Sequence, residues 1–104
     1  MSAFTDRFAH RLTETVQIAP RTGVDADRIE SFGDDAAVLA YIDRSPKMIR
    51  DASGREVVRN ALVVIDETPV VETTAQLTMP DGTKPKILRV DRYVQLIPHQ
   101  ELSV

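Results

Sequence analysis

Five carboxylates stand close together at Asp25, Asp27, Glu30, Asp34 and Asp35, and a group of that kind can hold a hard cation through its oxygens. The segment lacks the alternating oxygen ligands and closing glutamate of a calcium loop, so it is expected as a solvated acidic loop. His10 and His99 lie near opposite ends of the chain, and neither has a second His or a Cys at ligand spacing. The chain contains no cysteine, which leaves no thiolate nucleophile, no thiolate zinc site and no disulfide. Of the serines, Ser2, Ser31, Ser45, Ser53 and Ser103, none sits in a G-x-S-x-G elbow. Gly23, Gly33, Gly54 and Gly82 are scattered singly, whereas a phosphate-binding loop needs closely spaced glycines leading into a helix. These residues predict no catalytic, metal or cofactor site, and a protein that is not an enzyme.

A chain of 104 residues is the size of one domain with one core. A hydrophobic fraction of 42% beside 28% charged residues is that of an ordinary globular chain. Phe4, Phe8, Phe32, Tyr41 and Tyr93 are the only aromatic residues, so the core must be aliphatic and few rings remain for stacking bases. No apolar run approaches the roughly 18–20 residues that span a bilayer, and residues 1–12 carry no continuous apolar export segment. No membrane association is therefore expected. The composition is compatible with a reducing cytoplasm.

The net charge of −3 disfavours a dedicated nucleic-acid binder, which draws most of its affinity from a basic face. Charge is unevenly spread: residues 1–22 carry +1, 23–43 carry −5, 44–59 carry +3, 60–82 carry −4 and 83–104 carry +2. Alternating blocks of this kind either solvate a small domain or form the two sides of a head-to-tail contact between copies.

Phe4, Phe8 and Leu12 recur every four residues, the spacing of a short amphipathic helix over 1–12. Three turns are marginal alone in water. The helix therefore either covers its own domain or docks on a partner or neighbouring subunit, with Phe4, Phe8 and Leu12 as the docking residues. From residue 13 the pattern becomes β. "TETVQIA" reads as a strand stopped by Pro20. Residues 21–35 read as a long exposed loop, and "AAVLAYID" as a central strand apolar on both faces. Residues 43–56 form a second long loop or short edge strand. Within it, Asp51 opens a turn that Gly54 closes with a positive φ. Residues 55–65 read as one long strand paired with the segment before that turn. Residues 67–76 are irregular around Pro69. A hairpin is expected around Pro80, Asp81 and Gly82, and a last strand in "QELSV". The predicted fold is all-β: a small β-barrel or two-sheet sandwich of about six strands with a short N-terminal helix, forming a single domain over 1–104.

The order of these elements, with "RDASGREVV" at 50–58, "MPDGTKPKILRV" at 79–90 and the ending "PHQELSV", resembles the head-closure proteins of tailed bacteriophages. These are also called stopper or head-completion proteins of the head-tail connector. The likeness runs from about Thr15 to Val104; the loop before Phe32 and Gly33 is this chain's own. The resemblance implies a small barrel that assembles with itself as a ring, commonly twelvefold, between the portal and its adaptor above and the tail proteins below. Such a ring closes the DNA-filled head in the virion, after assembly in the host bacterial cytoplasm, and DNA passes through without sequence-specific binding. It also implies a loop that projects into the channel or between subunits. Two segments are candidates: the basic one, with Arg44, Lys47, Arg50, Asp51 and Arg55, and the acidic one, with Asp25, Asp27, Glu30, Asp34 and Asp35.

Two other readings remain. A tail-completion or tail-terminator protein of the same machine is also a small β-rich ring former. A nucleic-acid-binding barrel would use Tyr93 with Arg89, Arg92, Lys84 and Lys86.

Overall fold

The computed structural model describes residues 3–95 and 97–104. Among them it holds one helix, α1 (Ala3–Phe8), and ten strands: β1 (Glu14–Ala19), β2 (Arg21–Val24), β3 (Glu30–Phe32), β4 (Ala36–Asp43), β5 (Lys47–Arg50), β6 (Glu56–Arg59), β7 (Leu62–Asp66), β8 (Gln76–Thr78), β9 (Arg89–Tyr93) and β10 (His99–Ser103). Six of the strands form one antiparallel sheet in the order β8-β1-β4-β7-β10-β9. The sheet curls into a half-barrel. The other four form two separate hairpins, β2–β3 and β5–β6. The fold is therefore all-β as expected, but the main sheet is neither a closed barrel nor a two-sheet sandwich.

The curl follows from the offset of neighbours on β4. Ala36 to Ala40 pair with β1, while Tyr41 to Asp43 pair with β7, so the partners engage opposite ends of the longest strand. The inner face collects Val16, Ile18, Val38, Ala40, Ile42, Val63, Ile65, Leu77 and Leu102, and the half-barrel is filled by Ala61, Val71, Ile87 and Val104. Alternation works as a strand requires: on β4, Val38, Ala40 and Ile42 are buried while Leu39 and Tyr41 face outward. β4 is central, as read from the sequence, but its second apolar face is covered only in part, with Leu39 51% and Tyr41 43% exposed.

Gln100 lies on the inner face of β10, opposite Ile65 on one side and Arg92 on the other, and is only 1% exposed. Its side chain is fully used: Nε2 donates to the carbonyls of Asp66 at 2.9 Å and Pro69 at 2.7 Å, and Oε1 accepts from the N–H of Val71 at 2.9 Å. One side chain thus fixes the irregular segment 66–71 over the open side of the half-barrel. Arg92 assists by donating to the carbonyl of Val71.

Several expectations are corrected. The helix over 1–12 is not seen at that length: α1 ends at Phe8 and a hydrogen-bonded turn carries the chain to Leu12, while residues 1 and 2 lie outside the described residues. The expected loop 21–35 is largely the β2–β3 hairpin. The expected strand 55–65 is two strands in different sheets. It breaks at Asn60 and Ala61 because both N–H groups donate to the carbonyl of Val104, at 2.6 and 3.3 Å, and Val104 N–H donates back to Ala61. The turn at Pro80, Asp81 and Gly82 forms, but its legs separate: β8 joins β1 and β9 joins β10. Leu96, in the second leg of that expected hairpin, lies outside the described residues.

Candidate interaction surface: two projecting hairpins

The segments singled out by charge are the two hairpins, and each packs chiefly on itself. In β2–β3, Asp25 builds the turn: its carboxylate accepts from the N–H groups of Asp27 and Ile29, both at 2.9 Å. Arg28 closes the turn at φ 63°. Arg21 and Glu30 approach within 3.6 Å across the strands. Asp27 stands exposed at the tip and Asp34 and Asp35 exposed at the return to β4. Among the described residues no three His, Cys, Asp or Glu side chains gather as metal ligands, and Asp25 is committed to its own turn.

In β5–β6 the register is Lys47 opposite Arg59, Met48 opposite Val58, Ile49 opposite Val57 and Arg50 opposite Glu56. The turn matches the sequence expectation. The Asp51 carboxylate accepts from the Ser53 hydroxyl at 2.7 Å and from the N–H groups of Ser53 and Arg55 at 2.9 Å. Gly54 takes φ 87°, a conformation glycine adopts without strain. Arg50 reaches the carbonyl of Gly54 at 3.0 Å and Glu56 at 3.7 Å, and Arg55 lies 3.4 Å from Asp51. Arg44 does not belong to this group. It forms a two-pronged contact with Glu14 of β1, at 2.6 and 2.9 Å, which holds the Glu14 carboxyl below the usual range.

Lys47 and Arg59 face each other as like charges, a destabilising cross-strand pair, with no ion-pair partner for either among the described residues. The Arg59 Nε is buried with no hydrogen-bond partner. On the opposite face of the same hairpin Met48 and Val58 are 60% and 52% exposed, and on the acidic hairpin Val24 and Ile29 are 49% and 61% exposed. The sequence reading missed these exposed apolar pairs because β-branched alternation looks the same whether a strand joins a sheet or stands away from it.

The Ser53 hydroxyl, followed by the two N–H groups and the Arg55 charge, lowers the Asp51 pKa from its ordinary 3.8 to about 2. A folded value below the unfolded one means the turn's stabilisation is complete above the unfolded value and is lost as pH falls through the folded one. Amide-exchange protection across β5–β6 is therefore expected to fall between about pH 4 and pH 2, and Asp51→Asn is expected to flatten that dependence. Unchanged protection of the hairpin at pH 2 would count against this role for Asp51.

The expected docking residues are already engaged. Phe4 and Leu12 are buried on the outer face of the sheet near Tyr41, Val64 and His99, and Phe8 is half-buried beside Phe4. The His99 ring stacks between Phe4, with centroids 5.3 Å apart, and Tyr93 at 4.7 Å. Tyr93 therefore already has a ring neighbour. Of its basic neighbours, Arg89 pairs with Asp91 at 2.9 Å and Arg92 with Glu72 at 3.3 Å. These contacts weigh against a basic stacking platform for nucleic acid. Comparison with protein-family models, curated proteins and solved structures finds no match.

Proposed function

We propose that the chain is a structural subunit of a tailed-bacteriophage head-tail connector, assembling with itself into a ring that closes the DNA-filled head and docks the tail. The carrying observation is the pairing of Lys47 with Arg59 and no acid, on a hairpin that also leaves Met48 and Val58 uncovered. Such an arm is electrostatically incomplete, and an acidic surface of a neighbouring copy would complete it. The β2–β3 segment offers one. Residues 21–35 carry a net −3 against +3 on 44–59, and exposed Val24 and Ile29 supply apolar area to match. The resemblance in element order supplies the setting: portal or adaptor on one side, tail on the other, DNA passing through the channel. An acidic arm facing that channel would repel phosphates and let DNA slide.

The test uses Lys47→Glu, an exposed position where the new carboxylate would face Arg59. We expect the variant to fold at least as stably as the wild type. Its self-association in sedimentation velocity should weaken about tenfold through loss of a charge match at the contact. Rings of wild-type strength formed by the variant would sink the proposal. Co-purification with portal and adaptor supports the head-closure position, whereas co-purification with tails lacking heads points to the tail-terminator alternative.

A further inference from the structure

The half-barrel is open at one seam, and the seam begins at a single turn. Met79 N–H donates to the Thr83 carbonyl at 2.8 Å and Gly82 N–H to the Met79 carbonyl at 2.9 Å, with Gly82 at φ 88°. Beyond that pair the legs part. β8 is an edge strand held only by β1. On the other leg, Leu88 donates to the Ser103 carbonyl at 2.7 Å and accepts from Ala52 at 2.9 Å. A cleft of about 490 Å³ is lined by residues 73–76, which lead into β8, by 84–88, by Glu30 and Phe32 of β3 and by the 51–55 turn.

Residues 84–87 of this leg have the character of a strand without a partner. Lys84 and Lys86 are exposed, while Pro85 is half-buried and Ile87 buried, the alternation of extended chain. The N–H groups of Lys84, Lys86 and Ile87 find no partner among the described residues. Unpaired main-chain groups on two facing edges are a template for an added strand.

We propose that this seam receives an extended acidic segment of a partner protein, which inserts between β8 and 84–88 and closes the barrel. Charge selects that occupant. Lys84 and Lys86 have no ion-pair partner among the described residues, and Arg55 also lines the cleft. The two carboxylates there are engaged: Asp51 in its own turn and Glu30 with Arg21. The Lys-Pro-Lys sequence also guards the edge against indiscriminate pairing, since proline removes a donor and the lysines disfavour uncharged strands. The same leg of a second copy is disfavoured by like charge.

The probe is a short peptide alternating glutamate and valine, compared with its lysine-valine counterpart, added to the full chain at low salt. The acidic peptide is expected to bind and to slow amide exchange at Lys86 or Ile87, whichever N–H faces the seam, since neighbouring N–H groups of an extended chain point to opposite edges. The double variant Lys84→Glu, Lys86→Glu, at exposed positions that should leave the thermal midpoint unchanged, is expected to weaken binding about tenfold. No binding of the acidic peptide, or equal binding of both peptides, overturns the proposal. So does binding without protection of either amide, the signature of charge contact alone that an oligonucleotide would also give. Protection that rises with protein concentration and no peptide overturns it in favour of a second copy.

Discussion

Gln100→Leu is expected to destabilise the protein by about 3 kcal/mol or more, although the substitution keeps the side chain's bulk and makes it more apolar. The glutamine satisfies the Val71 N–H and the carbonyls of Asp66 and Pro69, and leucine can satisfy none of them. A buried polar group stripped of its partner costs about 1–3 kcal/mol, and these three belong to one network whose loss is not shared by solvent. Against a typical total of about 5–15 kcal/mol the change is large. For a domain of this size each kcal/mol lowers the melting temperature by roughly 4–8 °C. Urea unfolding of the variant measures it. A loss below about 1 kcal/mol would mean that segment 66–71 holds its place without Gln100.

The second large effect is expected at Phe4→Ala. Phe4 is 3% exposed and lies against both the His99 ring and Phe8, so truncation removes a buried aromatic surface and one face of the ring stack. Phe→Ala in a core costs about 3–5 kcal/mol. Phe4 covers the outside of a sheet, where the short helix can shift to fill the space, so a loss of about 2–3 kcal/mol is expected. The NMR signals of the His99 ring should move with it, because one of its two stacked neighbours is gone. Unchanged stability with unmoved His99 signals would return α1 to the role of a free docking element.

How much was legible in the sequence depended on how local each cause is. β1 and β4 were visible because alternating β-branched and apolar residues meet a proline or an acidic break at their ends, and the 51–54 turn because Asp and Gly occupy the positions its geometry demands. The division of 55–65 was not visible. Nothing at Asn60 or Ala61 interrupts β propensity; the interruption comes from Val104, whose main chain takes the hydrogen bonds a longer strand would have used. The β2–β3 hairpin was hidden because its left-handed turn residue is Arg28, where glycine or asparagine would have signalled it. Gln100 read as an ordinary polar position in a terminal strand, and its burial depends on a segment some thirty residues earlier.

For the candidate site, the alternation of charge along the chain was enough to locate both arms. It could not tell which charges were free: Arg44 is tied to Glu14, while Lys47 and Arg59 are left opposite each other.

The strand order also bears on how the chain emerges from a ribosome. β10 lies between β7 and β9, so during synthesis β7 waits with one edge open and the core residues Val63 and Ile65 lack the strand that covers them. β9 emerges before the only strand it pairs with in the sheet. Nascent chains stopped just short of β10 should therefore hold an uncapped sheet edge of the kind that seeds aggregation or recruits a chaperone. Synthesis of β10 covers the open edge of β7 and gives β9 its partner in the same step.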